Sequence, residues 1–430
     1  MANVYYSVGT STSDLKTGSP NIEITSGVAT LSVAQTGNIG VGDIILANSI
    51  SYIIVGKTST SIWSVRDIDG TTAGDIGSTA VTSIKRAFNS LNGAINGTSS
   101  GIDALIGTQD LVTATFNLFV PCYADGVDST KAEIDTWTCN ATYRITIYTP
   151  TNTATECNNS QRHDGTWAGG GYNLTQAGTT FYVLSIKNTA YVTIDGLRIG
   201  PTGPSGNGIY QASGVSANQL TIKNNICKSN LSSGIQILTT GTDVVYIINN
   251  LCYDNGQDGI LYGRSGYVQS KGYLYNNTCV DNGRYGINHL RYLNENTTYA
   301  YLKNNILQNN GTQDFIATAS TTPNACTMDN TVSEDASANP ASYTAYTGSN
   351  NKVSSAVLFT NEGSDDFSLQ SSDTVAKDSG LDLSGDAIFP FNYDIIGVTR
   401  SVPWDIGSFD EVFGDNVIVP YPILNNQGVF

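Results

Sequence analysis

Apolar and polar positions between residues 223 and 315 recur in a fixed order. The segments KNNICKSNLSSGI, INNLCYDNGQDGI, YNNTCVDNGRYGI and KNNILQNNGTQDF align without gaps. With the second Asn of each as origin (Asn225, Asn250, Asn277, Asn305), Cys227, Cys252, Cys279 and Leu307 share one column. Asn230, Asn255, Asn282 and Asn310 share another. Gly234, Gly259 and Gly286 follow, broken by Asp314, and then Ile235, Ile260, Ile287 and Phe315. Successive origins lie 25, 27 and 28 residues apart, with short strand-like runs and no helical period. That spacing is one coil of a parallel β-solenoid. Equivalent residues then stack about 4.8 Å apart, so Asn side chains form amide ladders and Cys and Ile fill the interior. Gly is expected to permit the sharp corner before the next strand.

An earlier coil is visible in YVTIDGLRIGPTGPSGNGIY, with Ile199 in the Cys227 column and Gly208 in the Gly234 column. Upstream, ATFNLFVPCYAD and YRITIYTP alternate as strands of the first coils. The pattern predicts an all-β, right-handed single-stranded parallel β-helix over 81–335, with about eight or nine coils between 108 and 330. In SIKRAFNSLNGAI, Ile84, Phe88, Leu91 and Ile95 have helical spacing, which predicts a helix over 83–95 capping the open N-terminal end. Residues 1–80 read as a small β-rich attachment module of short antiparallel strands. Residues 336–411 form a closing region, and 412–430 an apolar tail.

Composition narrows the function. Among 430 residues only 13% are charged, and the formal net charge is -16. Nucleic acid is excluded as a partner, because its phosphates require a basic stripe. No apolar stretch is long enough for a membrane span. MANVYYSVGTSTSDLK lacks the charged and apolar regions of a signal peptide, which predicts cytosolic synthesis or export by another route. Seven widely spaced cysteines without a CxxC pair argue against a disulfide framework or zinc ribbon. No cofactor or metal is expected.

The NNxCxxNGxxGI coils resemble the right-handed β-helix, pectate-lyase-like superfamily. DFSLQSSDTVAKDSG and GVTRSVPWDIGSFD resemble the closing motif of many bacterial and phage surface proteins with that fold. The resemblance covers residues 80–411 and implies the fold. Functions on that fold range over lyases, hydrolases, phage tailspikes and adhesins.

Candidate chemistry gathers just after the Gly-Ile steps. Tyr262, Arg264, His289, Arg291, Tyr292 and Glu295 fall at comparable places on adjacent coils, with Asp258 and Arg284 just before. Aromatic faces and charged hydrogen-bonders suit sugar rings and uronic acids, and a suitably spaced carboxylate pair could hydrolyse a glycosidic bond. The bland alternative is a solvated, Tyr-rich surface. Polygalacturonase-type Asp pairs with His-Gly and Arg-x-Lys are absent. Asp254 and Asp281 fit turn positions better than a calcium cluster. His163, beside Asp164, could serve acid-base chemistry or simply pack in a loop. The cysteine column could bind a soft metal, but Leu307 in the same column favours plain burial.

The leading expectation is a non-enzymatic virion structural protein (tailspike, fibre or capsid decoration) whose flank binds host surface polysaccharide. Its partners would be other virion proteins and further copies of itself, a trimer by the resemblance. The alternatives are a polysaccharide lyase or glycoside hydrolase, and a bacterial surface adhesin. The tail VIVPYPILNNQGVF is expected to lie across a neighbour.

Overall fold

The computed structural model describes residues 2–176, 178, 181–202, 206–211, 219–239, 243–264, 270–291, 298–317 and 326–410. The expected tail arm therefore lies outside the described residues. Three parallel sheets of ten, eight and seven strands wrap one core. One coil runs from Gln219–Lys223 in the ten-stranded sheet through Ile226–Lys228 in the eight-stranded sheet. It finishes at Ile235–Ile237 in the seven-stranded sheet. The β-solenoid makes about 7 turns, fewer than the eight or nine expected. The ten-stranded sheet owes its extra strands to incomplete coils at its ends, including Ala2–Tyr5 and Tyr346–Thr347. No helix among the described residues is long and apolar enough to cross a membrane.

The repeat columns stack as their spacing implies. Ile199 pairs with Cys227, Cys227 with Cys252, Cys252 with Cys279 and Cys279 with Leu307. All are fully buried, and the cysteines are free thiols. Each ladder Asn ties two coils. The backbone N–H and Nδ2 of Asn225 donate to Asn250 Oδ1, both at 3.0 Å. Asn250 repeats this toward Asn277 at 3.1 Å, and Asn277 toward Asn305 at 3.0 and 3.1 Å. A second ladder runs from Asn230 through Asn255 and Asn282 to Asn310. It ends where Asp314 Oδ1 accepts from Asn310 Nδ2 at 2.8 Å.

In the NN coils the corners turn on residues other than glycine, whereas Gly196 (φ 82°) takes the corner of the preceding coil. Asn224, Asn249, Asn276 and Asn304 have φ between 53° and 57°, and Ser229, Asp254, Asp281 and Asn309 have φ of 54° or 55°. Asn and Asp tolerate this left-handed region because their short polar side chains bond locally. The Gly234, Gly259 and Gly286 column is there for space instead. A Cβ on Gly259 would stand 2.7 Å from Gly286 O and 2.9 Å from both Asn282 Nδ2 and Cys279 Cβ. That corrects the expectation that these glycines form the corner.

At the N-terminal end the chain begins inside the solenoid. Ala2–Tyr5 pairs in parallel with Phe116–Pro121, and Asn21–Lys85 then forms a closed six-stranded barrel around buried Trp63. The helix expected over 83–95 is only Leu91–Ile95, because Ile76–Lys85 is the barrel's last strand. The apparent helical spacing joins two structures, since Ile84 lies in the barrel core while Leu91 and Ile95 lie in the solenoid core. Short helices at Ile102–Ile106 and Leu111–Ala114 add Ile102 and Leu111 to the same solenoid core.

A buried cation helps join barrel and solenoid, alongside the Tyr123 hydroxyl donating to Val41 O and Asn158 Nδ2 donating to Gln35 O. The Arg86 guanidinium donates to Asp43 at 2.7 and 2.8 Å and to Asp125 at 2.7 and 3.0 Å. It also stacks 3.6 Å above the Tyr123 ring. Opposite charges on both sides and a full set of hydrogen bonds are what let a guanidinium remain charged when buried.

The C-terminal region lies along the side of the solenoid. Phe359, Phe367, Ile395 and Ile406 pack on Ile226, Leu251, Val280 and Ile306 of the eight-stranded sheet. The corner residues hold it by side-chain bonds, with Asn249 Nδ2 donating to Tyr393 O, Asn276 Nδ2 to Gly407 O and Asn304 Nδ2 to Leu381 O.

Asn250→Leu strips the acceptor from Asn225 and the donor from Ile222 O and Ile248 O. At about 1–3 kcal/mol per buried group left unmade, three such groups predict a loss of about 3 kcal/mol or more. Exposed Asn159→Leu should change little. Chemical denaturation of both variants checks this, and equal stabilities would contradict the ladder's role.

Candidate functional site

The flank after the Gly-Ile steps takes its direction from strand alternation. Ile260 and Ile287 point into the core, so residues two further on point inward as well. Tyr262 and His289 accordingly pair across neighbouring strands and stack inside the solenoid, with ring centroids 5.7 Å apart. Both are almost fully buried. Burial pushes the Tyr262 hydroxyl well above its usual pKa, and that hydroxyl donates to Ser270 Oγ at 3.3 Å. His289 Nδ1 lies 2.7 Å from the Tyr346 hydroxyl. These two side chains fill the core and offer no face to a sugar, contrary to the expectation of a groove.

Asp258 and Arg284 do meet. Arg284 Nε and Nη2 donate to the two Asp258 oxygens at 2.8 and 2.6 Å, and Asn288 Nδ2 adds a third bond at 3.1 Å. Asp258 is fully buried, while the Arg284 side chain is 39% exposed and lies over the Tyr285 ring. The paired carboxylate raises the Arg284 pKa further. With both oxygens engaged, Asp258 serves as an anchor for this surface arginine. Arg264 and Arg291 are register partners at the ends of their strands, and their side chains lie outside what the structure describes. Tyr292 and Glu295 lie outside the described residues. Among the described residues no group of three or more His, Cys, Asp or Glu could hold a metal ion.

His163 is a packing residue. It is fully buried, with Nε2 2.8 Å from Asn224 O and Nδ1 accepting from the Gly165 N–H. Burial, reinforced by the neighbouring Arg162 charge, holds its pKa down to about 3. Asp164 turns away to bind Thr166.

A different feature runs down the outer face of the ten-stranded sheet. Thr146, Thr193, Thr221, Tyr246, Tyr273, Tyr301 and Thr327 occupy one register column, which continues to Phe119 at one end and Thr347 at the other. The tyrosines stack, Tyr246 on Tyr273 at 5.4 Å and Tyr273 on Tyr301 at 5.0 Å, with Phe389 of the C-terminal region 4.8 Å from Tyr246. Five of the seven are half-exposed. None of the seven hydroxyls has a hydrogen-bond partner among the described residues, although the neighbouring polar groups Lys303 and Asp386 bond each other. The signal was present in the sequence. In the five coils with an NN or GL corner, each of these residues lies four positions before the ladder site (Thr193 before Leu197, Tyr301 before Asn305). An alignment started at the NN pair stops short of it, and the mixture of Thr and Tyr hides the common hydroxyl.

His163 sets a pH dependence. Its folded pKa lies below the unfolded value near 6.5, so its contribution is complete above about pH 6.5 and is lost as pH falls toward 3. At pH 5 the loss is about 2 kcal/mol relative to pH 7. Wild type should therefore lose more stability than His163→Gln between pH 7 and pH 5 in denaturant titrations. Equal losses would mean the imidazole is not held neutral.

No protein-family model and no curated protein matches the chain. Among solved structures, the crystal structure of the Agl-KA catalytic domain is similar over 74% of this chain and 68% of that one. The TM-score is 0.24 and the sequence identity 12%. At that level the likeness carries no argument, and the fold rests on the strand pairing itself.

Proposed function

We propose that this chain is a structural and binding protein of a virion surface, of the tailspike, fibre or capsid-decoration kind, working without catalysis. The observation that carries the reading is the Arg86 junction. A small barrel is fixed to a β-solenoid of about 7 turns through a fully bonded buried guanidinium. Such a junction holds the solenoid in one orientation on whatever the barrel attaches to, which suits a display rod. The side chains meant for chemistry support the same reading. Asp258 is tied to Arg284, and Tyr262 and His289 are part of the core. The partners in this proposal are other virion proteins, a host surface polysaccharide and further copies of the chain, three in all by the resemblance.

Immunogold electron microscopy with antibody against the barrel, on particles and cells from the source culture, tests the location. Label on particle surfaces is the expected result, and label confined to cell envelopes would replace the reading with an adhesin. Light scattering of the full chain should give a trimer mass at micromolar concentration, and a chain cut after residue 416 a smaller one with unchanged circular dichroism. A monomeric full-length chain would overturn the assembly. Steady release of reducing ends or unsaturated products from acidic polysaccharides would overturn the non-catalytic assignment.

A further inference from the structure

We infer that the seam between the solenoid corner and the C-terminal region is a docking groove for an extended polypeptide segment rich in lysine or arginine. The inference does not depend on the virion reading. Three parts of the chain meet at this seam. The solenoid contributes Asp254 and Asp281, exposed corner residues one coil apart, about 4.8 Å along the axis. The C-terminal region contributes Glu362 and Asp365, the first residue of the short 3-10 helix Glu362–Ser364 and the residue that ends it. The segment after the last coil contributes Glu334 and Asp335, which with Asn309, Asn310 and Asp314 line a cleft of about 330 Å³. From Lys228 to Glu334 the row crosses four coil spacings. That is about 19 Å, the length of about six extended residues.

The negative charge of the seam is unmet within the chain. Lys228 gives its ammonium to Asp365, whose two oxygens lie at 2.7 and 2.8 Å. Asp254, Asp281 and Glu362 form no ion pair among the described residues. Partial burial holds the Asp254 carboxyl above its usual range, against the pull of Lys228 and with Asp365 adding to it. Burial and then the Asp254 charge do the same to Asp281, and burial and then the Asp281 charge to Glu362. In the cleft, burial pushes Asp314 up to about 6. A buried group points the same way. The Tyr253 hydroxyl, on a residue only 1% exposed, approaches Asp365 and Asp254 without making a hydrogen bond. A donor brought by a ligand would satisfy it. Carboxylates strung along this length suit a string of ammonium or guanidinium groups. Among the described residues, no three of the side chains His, Cys, Asp or Glu could share a metal ion. A neutral polymer would leave the charges unmet, and an anionic one would be repelled. The cleft sits at the small end of ligand pockets, which run from about 300 to 1,000 Å³, and so suits a single side chain of the segment.

Fluorescence anisotropy of the full chain tests this, with the labelled peptide Lys-Ala-Lys-Ala-Lys-Ala and its glutamate counterpart as probes in low salt at neutral pH. Expected is saturable binding of the lysine peptide alone, lost on raising the salt to about 0.3 M. Asp254→Asn with Asp281→Asn and Glu362→Gln should weaken it about tenfold or more. A control with the same change in charge on the barrel, Glu23→Gln with Asp69→Asn and Asp75→Asn, should alter it less than about twofold. Affinity should also fall between pH 7 and pH 5, because the carboxyls held high are the first to take up protons as the solution is acidified. Should the seam triple variant fold poorly, Glu334→Gln keeps an acceptor for the Asn309 N–H and must still weaken binding about threefold. No saturable binding of the lysine peptide overturns the groove. Equal weakening by the seam and barrel variants also overturns it, since the attraction would then belong to the net charge of the chain. Spermine carries the same ammonium groups on a free small molecule. If it binds more tightly than the peptide, and the seam variant abolishes that binding, the site belongs to a polyamine and the polypeptide assignment falls.

Discussion

An amide side chain inside a stack of coils faces one demand: every donor and acceptor it buries must find a partner one strand spacing away. Asparagine meets that demand in both directions. In this chain Oδ1 of Asn250, Asn277 and Asn305 takes both the backbone and side-chain N–H of the ladder Asn in the coil before it, while Asn250 Nδ2 reaches back to Ile222 O. The ladder therefore fixes register, because a slip by one residue would leave a whole row of amides unmatched at once. The cysteine column, the close-packed glycines and the left-handed corners are all aligned by that register. Asp314 ends the second ladder with an acceptor-only group that offers no donor to a further coil.

A solenoid built this way has two exposed ends and three faces, and the rest of the chain deals with most of them. The barrel and the short helices cover one end, and Arg86 makes that cover rigid. The C-terminal region, although it forms little regular structure, seals the eight-stranded face and reaches the corner asparagines directly. On the ten-stranded sheet it packs Leu383, Phe389 and Phe391 against Tyr246, Tyr273 and Tyr301.

The coil, its inward column and its ladders were legible because stacking forces equivalent positions to repeat the same residue. Three readings failed for reasons that are physical. A repeated glycine looks the same in sequence whether it supplies a left-handed φ or merely clears room for a neighbouring carbonyl, and Gly259 does the second. The flank was placed on the outside, yet an inward Ile260 makes Tyr262 inward by the two-residue period of a strand. The spacing Ile84, Phe88, Leu91, Ile95 imitates a helix because two separate cores each contributed part of it. Asp258 and Arg284 were named as neighbours and are bonded, since adjacent coils bring their positions together.

The pairing of Ala2–Tyr5 with Phe116–Pro121 has a bearing on the order of events at the ribosome. The first strand emerges more than a hundred residues before its partner, and at roughly 5–20 residues per second it waits for several seconds or longer. The barrel lies wholly within that interval, in antiparallel neighbours that need no later sequence to close. It can mature while the opening strand is still tethered and unpaired, and so holds that strand near the place where the first coil will arrive. The entropy of closing a long loop is then met by a folded body in place of a floppy chain. Growth of the solenoid would begin from a template already in position, with each new coil adding to the last in the direction of synthesis.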